Sequence, residues 1–165
     1  MKYIKVLGQD VLLGGVVSTP EMEAEGWFMY DKELPKYNSS TKLIWDSELE
    51  EIIVNMPYEI NKKLELLKVD YSKSNLKDIS YMNTTFQADE YSQNLIVSVL
   101  SSGSVPDNFF WLDKENNPIA ITFEELQGLS YAILERNQFN FIKYQELKTQ
   151  ASTATSVKEL DDVIW

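Results

Sequence analysis

The stretch from Ile121 to Trp165 constrains the fold of this chain more than any other part of the sequence. Residues 122–125, Thr-Phe-Glu-Glu, fit a capping box, in which a threonine hydroxyl and a glutamate carboxylate accept from each other's free backbone N–H groups. Apolar residues then recur at helical spacing, at Leu126, Leu129, Ile133, Ile142 and Leu147. The pattern predicts a long amphipathic helix.

A second, shorter helix is predicted after the long one. Residues 151–155, Ala-Ser-Thr-Ala-Thr, interrupt the pattern, and residues 156–159, Ser-Val-Lys-Glu, form a second capping box. Leu160, Val163 and Ile164 follow, and Trp165 comes last. Because an isolated helix needs about 12–15 residues to be stable, the short helix is expected to fold back on the long one as an αα-hairpin.

The first 56 residues have the pattern of short strands. The candidate strands are residues 3–7, 11–17, 41–45 and 51–54, with an aromatic run at residues 27–30. Residues 8–10 form a turn between the first two strands, and the pair Gly14 and Gly15 indicates a bulge in the second. These features predict a small β-meander.

Helices and hairpins are predicted to alternate from residue 57 onward. Pro57 suits the first turn of a helix that fades near residues 72–75 and has one apolar face, made of Ile60, Leu64, Leu67 and Tyr71. Residues 79–82 and 85–88 are expected to pair around Asn83 and Thr84.

Asp89 is then expected to cap a helix that ends near Gly103, a residue suited to a left-handed conformation. The predicted apolar side of this helix is Tyr91, Leu95, Ile96, Val99 and Leu100. A second hairpin is expected from residues 109–112 and 118–121.

The predicted fold class is therefore α+β, with two parts. Residues 1–56 form an N-terminal β region, a small β-meander. Residues 57–165 form a C-terminal domain of helices and two β-hairpins that ends in an αα-hairpin. No internal repeat or heptad array stands out.

Composition narrows the functional classes. The chain has no cysteine and no histidine, which excludes disulfides, thiolate zinc sites and Ser–His or Cys–His nucleophile pairs within it. Its formal net charge of −11 makes nucleic acid an unfavourable partner. No window reaches the roughly 20 apolar residues of a membrane span. We expect no catalytic residues, no metal and no cofactor, no membrane partner, and no enzymatic activity.

Two acidic clusters are candidate sites of chemistry. Asp46, Glu48, Glu50 and Glu51 could supply the carboxylate pair of a glycan hydrolase, although charges that protect a sheet edge explain them as well. The segment from Asp113 resembles the start of a calcium loop, but Pro118 stands where that loop needs glycine. A polar hairpin turn is the simpler interpretation.

Aromatic residues supply the candidate contact sites. Trp27 and Tyr30 form a candidate glycan-stacking platform, with core packing as the alternative. Phe139 and Phe141 lie about 200° apart on a helix, so one of them is expected to pack within the domain and the other against a partner. Phe139, Phe141, Tyr144 and Trp165 are therefore the candidate partner contacts.

The segment from about Leu64 to Trp165 resembles a family. The ordered features that carry the resemblance are residues 79–89 (ISYMNTTFQAD), Ser92-Gln93, Phe110-Trp111, the Asn116-Asn117 turn, residues 121–126 (ITFEEL), residues 145–148 (QELK), Ala151, residues 155–160 (TSVKEL) and Trp165. The segment is similar to a domain of unknown function found near the C-termini of tailed-bacteriophage tail and tail-fibre-associated proteins. Asn83 stands where that family often has glycine, and asparagine tolerates the same left-handed conformation.

The resemblance implies a role in a virion or in its assembly, and it carries no catalytic residues. We expect a phage tail accessory protein of the tail tip, baseplate or fibre, or a fibre assembly factor, that acts by docking. Its expected partners are other tail or fibre subunits and further copies of itself, and its expected location is the virion tail after synthesis in the bacterial cytoplasm. A host-surface glycan-binding module that uses the N-terminal aromatic residues is the alternative. A carboxylate-dependent hydrolase and a cytoplasmic regulator remain as further alternatives.

Overall fold

The computed structural model describes residues 1–17 and 19–165. The predicted α+β class is confirmed: an antiparallel sheet comes first, helices and β-hairpins follow, and helices end the chain. The chain divides into two compact units. The N-terminal unit comprises Met1–Lys63 and Thr153–Asp162, and the C-terminal unit comprises Leu64–Ser152 and Val163–Trp165.

The N-terminal unit contains a five-stranded antiparallel sheet. Its strands are β1 (Lys2–Leu7), β2 (Asp10–Leu13), β3 (Phe28–Tyr30), β4 (Leu43–Asp46) and β5 (Glu51–Val54), and a short helix α1 (Pro20–Ala24) precedes β3. The order across the sheet is β3-β1-β2-β4-β5. This differs from a pure meander at one strand, because β3 pairs with β1 at the far edge and leaves β2 beside β4. The core of the sheet is Ile4, Tyr30, Leu43 and Ile52.

The glycine pair after β2 forms the predicted bulge. The N–H of Gly14 donates to the carbonyl of Tyr3 at 2.7 Å, and the N–H of Tyr3 donates to the carbonyl of Gly15 at 3.0 Å. Two residues of one strand thus face one residue of the other, which defines a β-bulge. The Trp27 ring packs against Gly14: a Cβ added to Gly14 would lie 2.9 Å from Trp27 Cζ3 and 3.0 Å from the Tyr3 carbonyl oxygen.

We predict that Gly14→Ala destabilises the N-terminal unit by about 1–3 kcal/mol, because an added methyl group overpacks the space between the Trp27 ring and the β1 backbone. The matched control is Gly15→Ala, where an added Cβ meets nothing closer than 4.0 Å. Urea unfolding followed by tryptophan fluorescence measures both variants. Equal stability of the two variants would contradict the packing described here.

Helix α2 (Met56–Ser74) passes from the first unit into the second. Asn55 precedes it, and its side-chain Oδ1 accepts from the N–H of Tyr58 at 3.1 Å, which satisfies one free donor of the first turn. Pro57 occupies the first turn and the helix ends at Ser74, both as predicted from the sequence.

The first hairpin of the C-terminal unit pairs β6 (Ile79–Tyr81) with β7 (Thr84–Phe86). The prediction placed its turn at Asn83 and Thr84, and this was wrong by one residue. The turn residues are Met82 and Asn83, with φ of 50° and 61°. Two consecutive positive φ angles match the twist of the flanking strands, which selects this register even though Met82 rarely adopts such a conformation.

Helix α3 (Glu90–Ser101) begins as predicted, because Asp89 Oδ1 accepts from the N–H of Ser92 at 2.8 Å. Gly103 follows it with the predicted left-handed φ, +81°. The predicted apolar side was partly wrong. Ile96 is buried, but Tyr91 is 76% exposed and Leu95 is also exposed, because the core contacts α3 along a narrower stripe than the periodicity suggested.

The second hairpin, β8 (Phe110–Leu112) with β9 (Pro118–Ala120), leads into α4 (Phe123–Thr153). The predicted capping box of α4 is confirmed: the N–H of Thr122 donates to Glu125 Oε2 at 2.8 Å, and the N–H of Glu125 donates to Thr122 Oγ1 at 3.1 Å. Of the five predicted apolar residues only Ile142 is exposed. The core of this unit is Phe86, Ala88, Ile96, Trp111, Ile121, Leu126, Leu129 and Ile133.

Helix α5 (Val157–Asp162) is the last element. The predicted capping box is half present, since Ser156 Oγ accepts from the N–H of Glu159 at 3.3 Å. The Glu159 carboxylate accepts instead from the N–H of Thr155, at 2.7 Å. The Glu159 side chain therefore binds the N–H of Thr155, one position earlier than the N–H of Ser156 that a capping box would use.

Candidate functional site

The C-terminal unit is held in register by the turn that follows α2. The backbone carbonyl of Asn75 accepts from Gln93 Nε2 of α3 at 2.8 Å and from Arg136 Nη2 of α4 at 2.5 Å. The side-chain oxygen of Asn75 accepts from Asn140 Nδ2 at 2.8 Å. One residue therefore receives hydrogen bonds from two helices, and it fixes how α3 and α4 lie beside this turn.

Arg136 is the cation of this network. Its guanidinium also donates to the carbonyl of Lys77 and, through Nε, to Asn137 Oδ1 at 3.2 Å. Burial lowers the pKa of Arg136 from its usual value. The fork of donors suits two backbone carbonyls of one turn, which a lysine ammonium could not bind in the same planar geometry. The role of Arg136 in this turn is structural.

We predict that Arg136→Met lowers the free energy of unfolding by about 1–3 kcal/mol, since hydrogen bonds from a charged donor are lost at a partly buried turn. The control is Glu135→Met, which makes the same replacement at the exposed neighbouring position of α4. Thermal unfolding by circular dichroism compares the two. A smaller loss for Arg136→Met than for Glu135→Met would contradict this role.

An aromatic cluster closes the C-terminal unit. The rings of Tyr71 and Tyr144 stack with centroids 4.8 Å apart, and the Trp165 ring meets Tyr71 edge-on at 6.2 Å. Trp165 Nε1 donates to Ser74 Oγ at 2.7 Å. Two of the four predicted partner contacts, Tyr144 and Trp165, are thus packed within their own unit, and both are only partly exposed.

We predict an energetic coupling of about 1 kcal/mol between Trp165 and Ser74, because this hydrogen bond satisfies a buried hydroxyl. The test is a double-mutant cycle of Trp165→Phe and Ser74→Ala, measured by urea unfolding. The cycle separates the hydrogen bond from the ring volume that phenylalanine also lacks. Strict additivity of the two substitutions would show that the bond contributes nothing.

Phe139 and Phe141 are the predicted contacts that stay open. Phe139 is 68% exposed and Phe141 is 45% exposed, so neither packs into the core. The expectation that one of the two packs within the domain was wrong, because Asn140 between them takes the inward position through its bond to Asn75.

An apolar groove that sequence reasoning missed lies between α3 and β8. Its volume is about 330 Å³, and Tyr91, Leu95 and Val99 of α3 face Phe110 and Leu112 of β8 across it. Phe110 is 55% exposed, whereas its neighbour Trp111 is buried. The exposure of Phe110 could have been predicted from the two-residue period of a strand, since adjacent residues of a strand point to opposite faces.

A second concavity, of about 590 Å³, lies where the chain enters α4. Asp107, Glu124 and Glu125 are among its lining residues. Glu125 serves the capping box, and the acidic lining opposes an anion at this helix start.

The N-terminal aromatic residues are mostly occupied within their sheet. Tyr30 is 4% exposed, its hydroxyl accepts from the N–H of Ile52 at 3.1 Å, and its ring meets Trp45 edge-on. A buried ring is not available to stack on a sugar. Trp27 is half-buried against Gly14. Tyr30 therefore cannot serve as the glycan contact that the sequence suggested.

The acidic clusters organise turns. Asp113 accepts from the N–H groups of Glu115 and Asn117, both at 2.8 Å, and from the Asn117 side chain at 3.0 Å; these bonds hold the pKa of Asp113 below its usual value. Asp46 Oδ1 accepts from the N–H of Glu48 at 2.9 Å. Glu51 lies 3.3 Å from Lys32 Nζ in an exposed ion pair.

The described residues contain neither a metal-binding cluster of side chains nor a membrane-spanning helix. Residues 1–17 and 19–165 contain no group of three or more acidic side chains placed to hold a metal ion. Within the same residues, no helix is both long enough and apolar enough to cross a membrane.

The fold and its surfaces define an α+β domain whose open features are an apolar groove and exposed aromatic residues on a long helix. Residues 61–164 match the family model described as a domain of unknown function, DUF4376, and the chain belongs to that family. No curated protein matches the chain. No solved structure matches it either.

Proposed function

We propose that this chain is a bacteriophage tail accessory protein that docks onto other tail or fibre subunits. The tail assignment is supported by the ordered features between residues 79 and 165 that resemble domains of tail and tail-fibre-associated proteins. Membership in the DUF4376 family over residues 61–164 is consistent with that resemblance and carries no activity of its own. The location that goes with the proposal is the virion tail, or the assembling tail in the host cytoplasm.

The observation that carries the docking function is the apolar surface of the family-matched region. Tyr91 and Phe110 are each more than half exposed there and line the same groove, and Phe139 is a further exposed aromatic residue on α4. Large exposed apolar residues that cluster mark protein interaction sites, and aromatic residues are enriched in such interfaces. The chain also lacks histidine and cysteine, the side chains most used for acid–base and nucleophilic chemistry near neutral pH.

The groove between α3 and β8 is the docking site that fits a tail subunit best. It has an apolar lining on both walls, with Asp89 and Gln87 among its polar residues. An apolar centre with polar residues at its margin is the usual anatomy of a protein interface. At about 330 Å³ the groove accommodates one or two large apolar side chains of a partner. Docking explains the exposed residues better than glycan binding does, because Tyr30 is buried.

The proposal is tested in two arms that separate the forms of the function. Mass spectrometry of purified phage particles asks whether the chain is a component of the tail. Co-expression of the tagged chain with the tail and fibre subunits of the same phage, followed by size-exclusion chromatography, asks whether it binds them. Presence in particles supports a component, and co-elution without presence in particles supports an assembly factor. Absence from particles together with no co-elution would reject the proposal.

We predict that the double variant Tyr91→Ser, Phe110→Ser weakens co-elution with the tail subunit at least tenfold, because the groove loses its most exposed aromatic side chain on each side. Phe139→Ser tests the exposed helix residue separately. The control is Tyr58→Ser, an exposed aromatic residue of the N-terminal unit. All four positions are exposed, so circular dichroism should show unchanged folding. If Tyr58→Ser reduced co-elution as much as the double variant, binding would be nonspecific and the groove would not be the docking site.

A further inference from the structure

Helix α4 carries an outer seam, which we define by eight positions with alternating spacings of three and four residues: Glu124, Gln127, Tyr131, Leu134, Gln138, Phe141, Gln145 and Lys148. The first seven side chains are exposed and the last is partly exposed. Tyr131 is 66% exposed and Leu134 is 62% exposed. The residues that α4 buries, such as Leu126, Leu129 and Ile133, lie off this seam.

The spacing of the seam is that of two helices wound around each other. Positions that alternate by three and four residues repeat every seven, and they drift by about 20° per repeat around a straight helix. A second helix that crosses at about 20° follows that drift. The sequence pattern did not reveal a heptad array, because only Tyr131, Leu134 and Phe141 among the eight positions are apolar.

Charge along the seam is arranged by position. The six central positions carry no charge, although a quarter of all residues in this chain are charged. The two end positions carry opposite charges, Glu124 at one end and Lys148 at the other. An uncharged centre is ready to be desolvated, and the charged ends can select the direction of a partner helix.

The seam is complementary to the same seam of a second copy that runs in the opposite direction. When a second copy lies antiparallel, with the two-fold axis beside residue 136, Glu124 faces Lys148 of the second copy at both ends. Tyr131 then faces Phe141, Gln127 faces Gln145, and Leu134 faces Gln138. A parallel pair would instead place Glu124 against Glu124 and Lys148 against Lys148. Like charges directly opposed are unfavourable, so the antiparallel arrangement is preferred.

The area of the seam is sufficient for a weak specific interface. Tyr131, Leu134, Phe141, the adjacent exposed Ile142 and the three glutamines offer about 500 Å² per copy, or about 1,000 Å² for two copies, when a large side chain contributes about 150–250 Å² at full exposure. About 1,000 Å² is the lower bound for a specific protein–protein interface. A reversible dimer in the micromolar range is expected.

We infer that α4 binds α4 of a second copy of this chain, antiparallel, through the outer seam. A two-fold symmetric contact of this kind is the commonest assembly of soluble proteins. The pairing goes beyond the proposed tail function, because it needs no tail subunit. It also uses a different surface from the groove between α3 and β8, so either one can fail without the other.

The first test measures the oligomeric state of the full chain by analytical ultracentrifugation at about 0.15 M salt, where general repulsion between two acidic chains is screened beyond about 8 Å. A concentration-dependent monomer–dimer equilibrium is expected. Leu134→Glu and Phe141→Glu should each weaken it at least tenfold. The control is Tyr58→Glu, which places the same charge at an exposed aromatic residue of α2, outside the seam. A wild-type chain that stays monomeric to about 1 mM overturns the inference.

The second test reverses the end charges. Glu124→Lys places two cations opposite each other at both ends of the antiparallel pair, and a severalfold loss of association is expected. The double variant Glu124→Lys, Lys148→Glu restores opposite charges and should restore association. Because Glu124 lies in the first turn of α4, thermal unfolding of each variant as a monomer shows whether the altered charge itself changes the stability of the fold. No recovery in the double variant, with the monomer folded, rejects the charge pairing.

The third test reads the direction of the helices, and the cysteine-free chain makes it clean. Gln127→Cys and Gln145→Cys are purified separately and oxidised alone and as a mixture. In the antiparallel pair each residue faces the other one, so disulfide-linked dimers should form in the mixture far more than in either variant alone. If each variant oxidised alone formed as much disulfide-linked dimer as the mixture, a parallel pair would be required, and the proposed arrangement would be overturned.

Discussion

The geometry of the C-terminal unit depends on one turn, at Asn75. A partly buried backbone carbonyl needs donors, and the carbonyl of Asn75 receives them from Gln93 of α3 and Arg136 of α4. The side chain of the same residue binds Asn140. Hydrogen bonds are directional, whereas the apolar contacts of the core are not, so these bonds define the register in which α3 and α4 approach the turn.

Fixing α4 by its inner face leaves the outer face free. The buried side of this helix carries core residues together with Asn140, while the outer seam carries three glutamines and three large apolar residues between its charged ends. A helix of 31 residues that served only to cover a core would be expected to present charge to solvent along its whole outer length. The uncharged outer seam is therefore the feature of α4 that packing within the chain leaves unexplained.

Local features of this fold could be predicted from the sequence, and features set by distant contacts could not. The capping box at Thr122 and the cap at Asp89 were predictable, because a cap is decided by side chains a few residues apart. The position of β3 beside β1 and the acceptor role of Asn75 depend on residues far along the chain. In the candidate site, Phe139 is exposed, and its role as a partner contact stays a prediction. Trp165 is held within its own unit by a hydrogen bond to Ser74, which no local sequence pattern predicts.

That inward bond has a consequence for synthesis. Trp165 donates to Ser74, a residue 91 positions earlier. A ribosome adds about 5–20 residues per second, so α2 leaves it several seconds before its tryptophan partner exists. During that interval Ser74 and the face of Tyr71 lack their final cover, and they stay accessible to chaperones or to a nascent neighbour. The bond between Trp165 and Ser74 therefore forms late in synthesis, which makes the order of translation part of how the native contacts are reached.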